Sequence, residues 1–458
     1  MKRRDFIKYS LLGTGGLLAA PVFPDRLNAS NKIVGNSFSG KVIIIGAGVA
    51  GIYAAHLLSL QGIDVTVLEA ADVYGGRVKS LKDFSDFPIE LGGEKIYGKK
   101  SAFSDLAKSC NASLLSYKGD EYYSLDGFLN TETILEDDAD FRQVLALSET
   151  FADYDGPDMS LEQYGMQQGL TKRVLPVYNS LIANKHAASL GKLSILGMKD
   201  LEGKWKGAGR DPFVLKDRSI LSIFEEKCSA AISKIKLKCP VSSIDYSGTT
   251  INITDKNGGT YTADKVLITV PISILKSNDI QFTPALPSEK ISSFSKIGMS
   301  AGMKIILKFN KPFWKPDTAS IYGPAYVPEF YVTGLGRSNF KNVLTAYING
   351  ESAEHLSFEE KEATNSVIKE LDKIFGSTAA SRSLIDSYVM DWFRQPYIRG
   401  SASYPLIGYT PESRQVAAAP VSGKLFFAGE AMNTEGQFAT IQGALETAQI
   451  AVNNVLKS

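Results

Sequence analysis

The chain has 458 residues, 44% of them hydrophobic and 22% charged, long enough for a large core and two or three structural units. Its 50 lysines and arginines against 49 aspartates and glutamates leave a net charge of +1, which argues against nucleic acid as a partner and against a charged tail. Cys110, Cys228 and Cys239 lie far apart with no C-x-x-C, and His56, His186 and His355 are scattered, so no zinc ribbon, disulfide scaffold, metal site or Ser-His-Asp triad is expected.

Residues 2–8 read Lys-Arg-Arg-Asp-Phe-Ile-Lys, and an apolar stretch follows from Tyr9 to about Phe23, broken by Gly13, Gly15 and Gly16. That stretch is too short for a bilayer span, which needs about 20 apolar residues. The small residues Ala19 and Ala20 complete the pattern of a leader peptide. Arg3-Arg4 resembles a bacterial twin-arginine signal, so residues 1–29 are expected to direct export of the folded protein to the periplasm, with the twin-arginine translocase as partner.

The branched run Val42–Ile45 predicts a buried parallel strand. It enters Gly46-Ala47-Gly48-Val49-Ala50-Gly51, then a helix, then a second strand Asp64–Leu68 ending at Glu69. This is a complete βαβ dinucleotide unit. Gly46 permits the turn, Gly48 lets backbone approach a pyrophosphate, Gly51 lets helix meet strand, and Glu69 accepts from ribose hydroxyls. A ribose-binding acid disfavours NADP. Past Glu69, Gly75-Gly76-Arg77-Val78 supplies a second glycine turn and a guanidinium suited to phosphate, a feature resembling FAD-containing oxidases and desaturases. Next, Gly92-Gly93-Glu94-Lys95 places two glycines where backbone packs against a flat ligand.

Residues 101–235 read as largely helical, with polar loops near 118–132 and 198–218. Strands are expected at Val241–Tyr246, Thr250–Thr254, Tyr261–Val270, Lys304–Phe309 and Val343–Ile348, with a hairpin turn at Asn257-Gly258-Gly259. Ser357 and Glu360 read as a capping box opening a helix to Phe375. The C-terminal part carries Phe427-Ala428-Gly429-Glu430 and a helix entered at Thr440-Ile441, whose N-terminus suits an electron-rich part of a cofactor.

Together these pieces resemble the flavin amine oxidase family, from about Lys41 to Leu456, most weakly over 118–235. The resemblance implies a Rossmann-type FAD-binding domain (40–117, 217–293 and 392–458) interleaved with an α+β substrate domain (118–216 and 294–391). It implies that Val241 holds the adenine through its backbone, that Glu430 sits on the ribityl–pyrophosphate region and that the Ile441 N–H meets a flavin carbonyl. It further implies that Trp392 packs near the flavin and that Lys304 holds a water against flavin N5; an edge-strand lysine kept for solubility is the plainer reading of Lys304. Gly76, Gly93, Glu94 and Thr440 join the cofactor set. Many members hold the amine between two aromatic residues; here those positions are Ala402 and Thr440, leaving Tyr404 or Tyr409 to substitute. Ser401 stands where members with covalent flavin have cysteine, so FAD should be non-covalent. Lys95 falls where L-amino-acid oxidases place an arginine for the substrate carboxylate.

The implied activity is hydride transfer from an amine α-carbon to flavin N5, imine hydrolysis, and reoxidation by O2 to H2O2. The alternatives are an L-amino-acid oxidase of the same family, a desaturase or porphyrinogen-type oxidase, and a flavoprotein without catalysis.

Overall fold

Val42, Ile43, Ile44 and Ile45 carry branched side chains on both faces of one strand, so both faces need cover. The computed structural model describes residues 37–458 apart from 206–210, 325, 338–341, 359 and 377; the expected leader therefore lies outside the described residues. In it, Lys41–Ile45 is the middle strand of a five-stranded sheet ordered Ile235–Lys236, Asp64–Leu68, Lys41–Ile45, Lys265–Ile268, Leu425–Phe427. Every ladder is parallel. The helices Val49–Leu60 and Ile441–Lys457 pack together against it. The Rossmann-type unit is thus built from distant pieces of chain, as expected of an interleaved α/β architecture.

A smaller sheet follows the order Thr260–Ala263, Ile251–Asp255, Val241–Asp245, Gln281–Thr283. Asn257-Gly258-Gly259 closes its hairpin, with Gly258 at φ 85°. The run read as one strand from Tyr261 to Val270 is two: Thr260–Ala263 stays in this sheet and Lys265–Ile268 enters the parallel one.

The largest sheet has seven strands, ordered Leu384–Asp391, Gly302–Phe309, Val343–Asn349, Glu329–Val332, Thr318–Tyr322, Asp120–Leu125, Phe128–Thr131. Met303, Ile305, Leu307, Leu344, Ala346 and Ile348 form a core with Leu356, Val367 and Leu371 of the helices Glu351–Phe358 and Glu360–Phe375. Alternation sends the residues between them to the opposite face. Cross-strand register then aligns Met390, Lys304, Tyr347, Glu329 and Tyr322 in one row on that face. Lys304 is consequently on an inner strand, paired on both sides, which rules out the edge-strand reading.

Three local expectations fail. Residues 118–132 are a hairpin, not a loop: Asp126 and Gly127 take φ 55° and 80°, the conformation a two-residue type I′ turn requires. The stretch 198–218 holds the end of the helix Ile195–Lys204 and the strand Pro212–Leu215, whose Phe213, Val214 and Leu215 are buried. Ser357 is not an N-cap; it lies in the helix Glu351–Phe358, and its hydroxyl donates to Asp391 Oδ2 at 2.5 Å.

Candidate functional site

The first strand ends at Gly46 (φ 103°), and the helix Val49–Leu60 starts after Gly48. A Cβ on Gly51 would stand 2.0 Å from the Gly46 carbonyl oxygen, so only glycine lets this helix start so close to the strand. Ahead of Gly48, among the described residues other than its chain neighbours, no atom lies within 4 Å of where a Cβ would be, and Gly76 (φ 59°) packs against Gly48 from the second turn. Gly75 N–H donates to the Ala47 carbonyl at 2.8 Å, joining the two glycine turns. Both turns open on one cavity of about 620 Å³. The same cavity reaches Glu69 and Val241 at one end and Lys304, Tyr347, Trp392, Ala402, Thr440 and Ile441 at the other. The first residues of two helices, Val49 and Ile441, line it, and the first N–H groups of a helix have no partner within it. Such donors with a positive dipole end favour an anionic or electron-rich ligand.

Glu69 Oε2 accepts the Ala47 N–H at 2.6 Å and Oε1 the Ala71 N–H at 2.9 Å, so each oxygen keeps acceptor capacity for a sugar hydroxyl. Arg77 donates through one nitrogen to the Ser401 carbonyl at 2.8 Å and to Glu430 Oε1 at 2.7 Å. At the far end the Trp392 indole donates to the Leu91 carbonyl at 2.9 Å, fixing the ring against Gly92. Thr440 caps the last helix by accepting the Gly443 N–H at 3.0 Å. Gly93 packs on Ile441 and also lines the cavity. An elongated space with glycine walls, an acid at one end, an arginine midway and an indole at the other fits FAD.

Lys304 is 4% exposed, and its ammonium donates to the Glu90 carbonyl and to Glu94 Oε2, both at 2.9 Å. An ammonium has three donors, so one remains, and Lys304 borders the cavity. Tyr347, beside it in the row, was not foreseen as a site residue; nor were Met303, Asn349 and Met390, which line the same end.

Five expected site residues do other things. Glu94 is absent from the cavity wall: its carboxylate takes the Lys304 ammonium and the Tyr331 hydroxyl, the latter at 2.6 Å. Burial works to raise its carboxyl, but Lys304 and Tyr331 outweigh that and hold it below its usual range. Lys95 also lies off this wall, its ammonium 3.9 Å from Glu329 Oε1. Tyr404, 2% exposed, packs in the helical core with its hydroxyl 2.7 Å from Ser300 Oγ, and Tyr409 is buried near Asp200, so neither replaces the missing aromatic pair. Glu430 borders the cavity, but its two oxygens accept from Arg77, the Ser403 N–H and hydroxyl, and the Ala439 N–H. Four donors use its acceptor positions, so it positions Arg77 and does not itself hold the ligand. Behind it Arg414, 1% exposed, donates to Ser403 Oγ at 3.1 Å.

Glu90 ties this end to the fold's pH response. Its Oε1 accepts the Ile220 N–H at 2.7 Å and its Oε2 the Ser80 hydroxyl at 3.0 Å. Burial nevertheless pushes its carboxyl from the usual 4.5 up to about 7, against those two hydrogen bonds. The folded state then binds more protons than the unfolded between these values. This contribution is full below pH 4.5 and falls as pH rises through 7, by at most about 3 kcal/mol. Glu90→Gln should therefore leave the melting temperature nearly unchanged at pH 5 and raise it at pH 8. An equal difference from the parent at both pH values would mean that Glu90 is ionised throughout.

Comparison with known proteins agrees with this geometry. Residues 225–456 match the family model described as flavin containing amine oxidoreductase, and residues 44–109 the NAD(P)-binding Rossmann-like domain. The chain is 28% identical to lysine-specific histone demethylase 1 homolog 3 of Arabidopsis thaliana, covering 89% of itself but 29% of that protein. It is 27% identical to polyamine oxidase 4 of Oryza sativa subsp. japonica, covering 97% of itself and 92% of the relative. Among solved structures, a redesigned putrescine oxidase superposes with a TM-score of 0.78 at 18% identity, over 92% of this chain and 100% of that one.

Proposed function

The chain belongs to the flavin containing amine oxidoreductase family, and we propose that it is an exported, FAD-dependent amine oxidase. The observation that carries this reading is the single cavity that joins the glycine turns and Arg77 to the buried ammonium of Lys304. FAD held there would supply an acceptor for the hydride of an amine's α-carbon and a route for the two electrons to O2, and the imine product would hydrolyse in water to a carbonyl compound and ammonia or an amine.

The chain's own groups do the rest. Glu69 and Val241 would hold the adenosine end, the two glycine turns and Arg77 the pyrophosphate, and Trp392, Gly93 and the Ile441 N–H the ring end. Lys304 keeps a fixed positive charge there, with Glu94 and the Glu90 carbonyl holding its direction. Ala402 and Thr440 leave the amine position open, bounded by Tyr347. Ser401 donates to Asn349 Oδ1 at 2.8 Å and offers no sulfur for a covalent link, which supports non-covalent FAD.

Purified protein should be yellow and release its FAD into the supernatant on acid precipitation. Anaerobic mixing with a panel of monoamines, diamines, polyamines and amino acids should bleach the flavin with at least one of them, and air should then yield H2O2 and ammonia or an amine. No bleaching by any amine would remove the enzyme reading; a desaturated product without ammonia would favour the desaturase alternative. The export proposal rests on Arg3-Arg4. Replacing both with lysine should stop export, and continued periplasmic accumulation of that variant would refute it.

A further inference from the structure

We infer that Lys95 is a built-in occupant of an alkylammonium subsite, and that by filling it Lys95 sets the enzyme against diamines. This rests on the amine-oxidase reading above. The row of side chains that carries Lys304 and Tyr347 continues to Glu329, which is 0% exposed. Its Oε1 accepts from the Ser320 hydroxyl at 3.1 Å, while Oε2 has no hydrogen-bond partner among the described residues. The Lys95 ammonium lies 3.9 Å from Oε1, in ion-pair range but too far for a hydrogen bond. It also stands 5.6 Å from the ring centre of Tyr117 and 5.7 Å from that of Tyr331. Two phenol faces and a buried carboxylate around one ammonium are the elements that recognise an alkylammonium ligand in water-poor surroundings. Here the ligand position is taken by the chain itself.

Two observations connect this box to the reacting end. Tyr331 has Lys95 against its ring and Lys304 at 5.8 Å from the same ring centre, and its hydroxyl donates to Glu94, the Lys304 partner. Lys304 and Lys95 also act on the same carboxylate, Glu94, and the Lys95 side chain retains 27% accessibility. The charges facing the ammonium are Glu329 and Glu94, with the hydroxyls of Tyr97 and Tyr347 nearby. Burial works to lower the Lys95 ammonium, but these groups outweigh it and keep it protonated. A diamine with one nitrogen near Lys304 would bring its second ammonium toward Lys95 in a poorly screened setting, whereas a monoamine would not.

The test uses the FAD-loaded protein as wild type, Lys95→Ala and Lys95→Met. Binding of 1,4-diaminobutane and n-butylamine is measured by calorimetry on dithionite-reduced protein, where neither can react. Lys95→Ala should tighten the diamine relative to the monoamine by about tenfold or more. Lys95→Met removes the charge but fills the space, so its gain should be clearly smaller. Equal gains in the two variants would reduce Lys95 to simple repulsion and overturn the subsite, as would no gain in either. If Lys95→Ala accumulates only as aggregate, expression with ethylamine should recover folded protein, and recovery no better than with the same concentration of sodium chloride overturns the inference. The enzyme reading is scored separately, by bleaching of oxidised wild type with monoamines. A binding gain without bleaching by any amine would sink that reading and leave the subsite standing.

Discussion

Lys304→Met should slow reoxidation of the flavin by O2 about 10²- to 10³-fold and also cost the fold about 3–5 kcal/mol, and a second substitution should restore only the fold. Methionine matches lysine in length, and strand pairing on both sides of residue 304 involves backbone alone, so the sheet should survive. What is lost is a buried ammonium. Its removal leaves the Glu94 carboxylate with the Tyr331 hydroxyl as its remaining hydrogen-bond donor, and the Glu90 carbonyl without this one. Breaking one side of a buried ion pair is expensive because the other charge stays behind. Adding Glu94→Gln removes that charge, so the double variant should melt near the parent. Reoxidation should remain slow in it, because a fixed positive charge on the cavity wall favours electron transfer to O2 and methionine supplies none. Reduction by amine should change less. Stopped-flow measurement of each half-reaction, with thermal melts of both variants, separates the two roles. Unchanged reoxidation in Lys304→Met would leave Lys304 a purely structural cation.

The parts legible in the sequence are those whose physics is local. Gly46 and Gly51 declare themselves because their demands are local, a positive φ at Gly46 and a Gly51 Cβ that would meet the Gly46 carbonyl, and the branched strand before them can only be buried. Lys304 was legible as a residue, but its partners were not: Glu90 and Glu94 reach it from a distant stretch of chain, and Tyr347 reaches it through cross-strand register, which no local pattern encodes. The surroundings of Lys95 were equally hidden: the resemblance puts it where L-amino-acid oxidases have an arginine for the substrate carboxylate, and only the folded sheet brings Glu329, Tyr117 and Tyr331 around it. Glu430 borders the cavity, but the four donors that use its oxygens converge from residues 77, 403 and 439, which no local pattern encodes. The hairpin at 120–131 is a different failure. Its Asp126-Gly127 turn was present in the sequence, but the polar residues flanking it read as a loop, because one side of this edge pair faces solvent.

Arg77→Met should yield protein that loses FAD on dialysis, with affinity lower by about a hundredfold or more. A guanidinium has five N–H donors in a fixed plane. Arg77 commits one nitrogen to the Ser401 carbonyl and to Glu430, and its side chain stays 23% accessible on the cavity wall. The remaining donors take no part in that pair, and Arg77 shares the cavity wall with the Gly48 and Gly76 turns, where a pyrophosphate would need cations. Methionine supplies neither charge nor donors. It also strips Glu430 of its ion-pair partner. Burial works to raise that carboxyl, and Arg77 is the main group holding it below its usual range, so the variant's Glu430 should take up protons more readily and the fold should weaken. Arg77→Lys restores the charge without the planar fork and should recover part of the FAD affinity, while the double variant Arg77→Met with Glu430→Gln should recover stability and no FAD. Fluorescence titration of apoprotein with FAD measures the first effect and thermal melting of the apo forms the second. Full FAD retention in Arg77→Met would show that the phosphates are held by the helix N-terminus and glycine backbone alone, and would reduce the Arg77–Glu430 pair to a strut between the two ends of the chain.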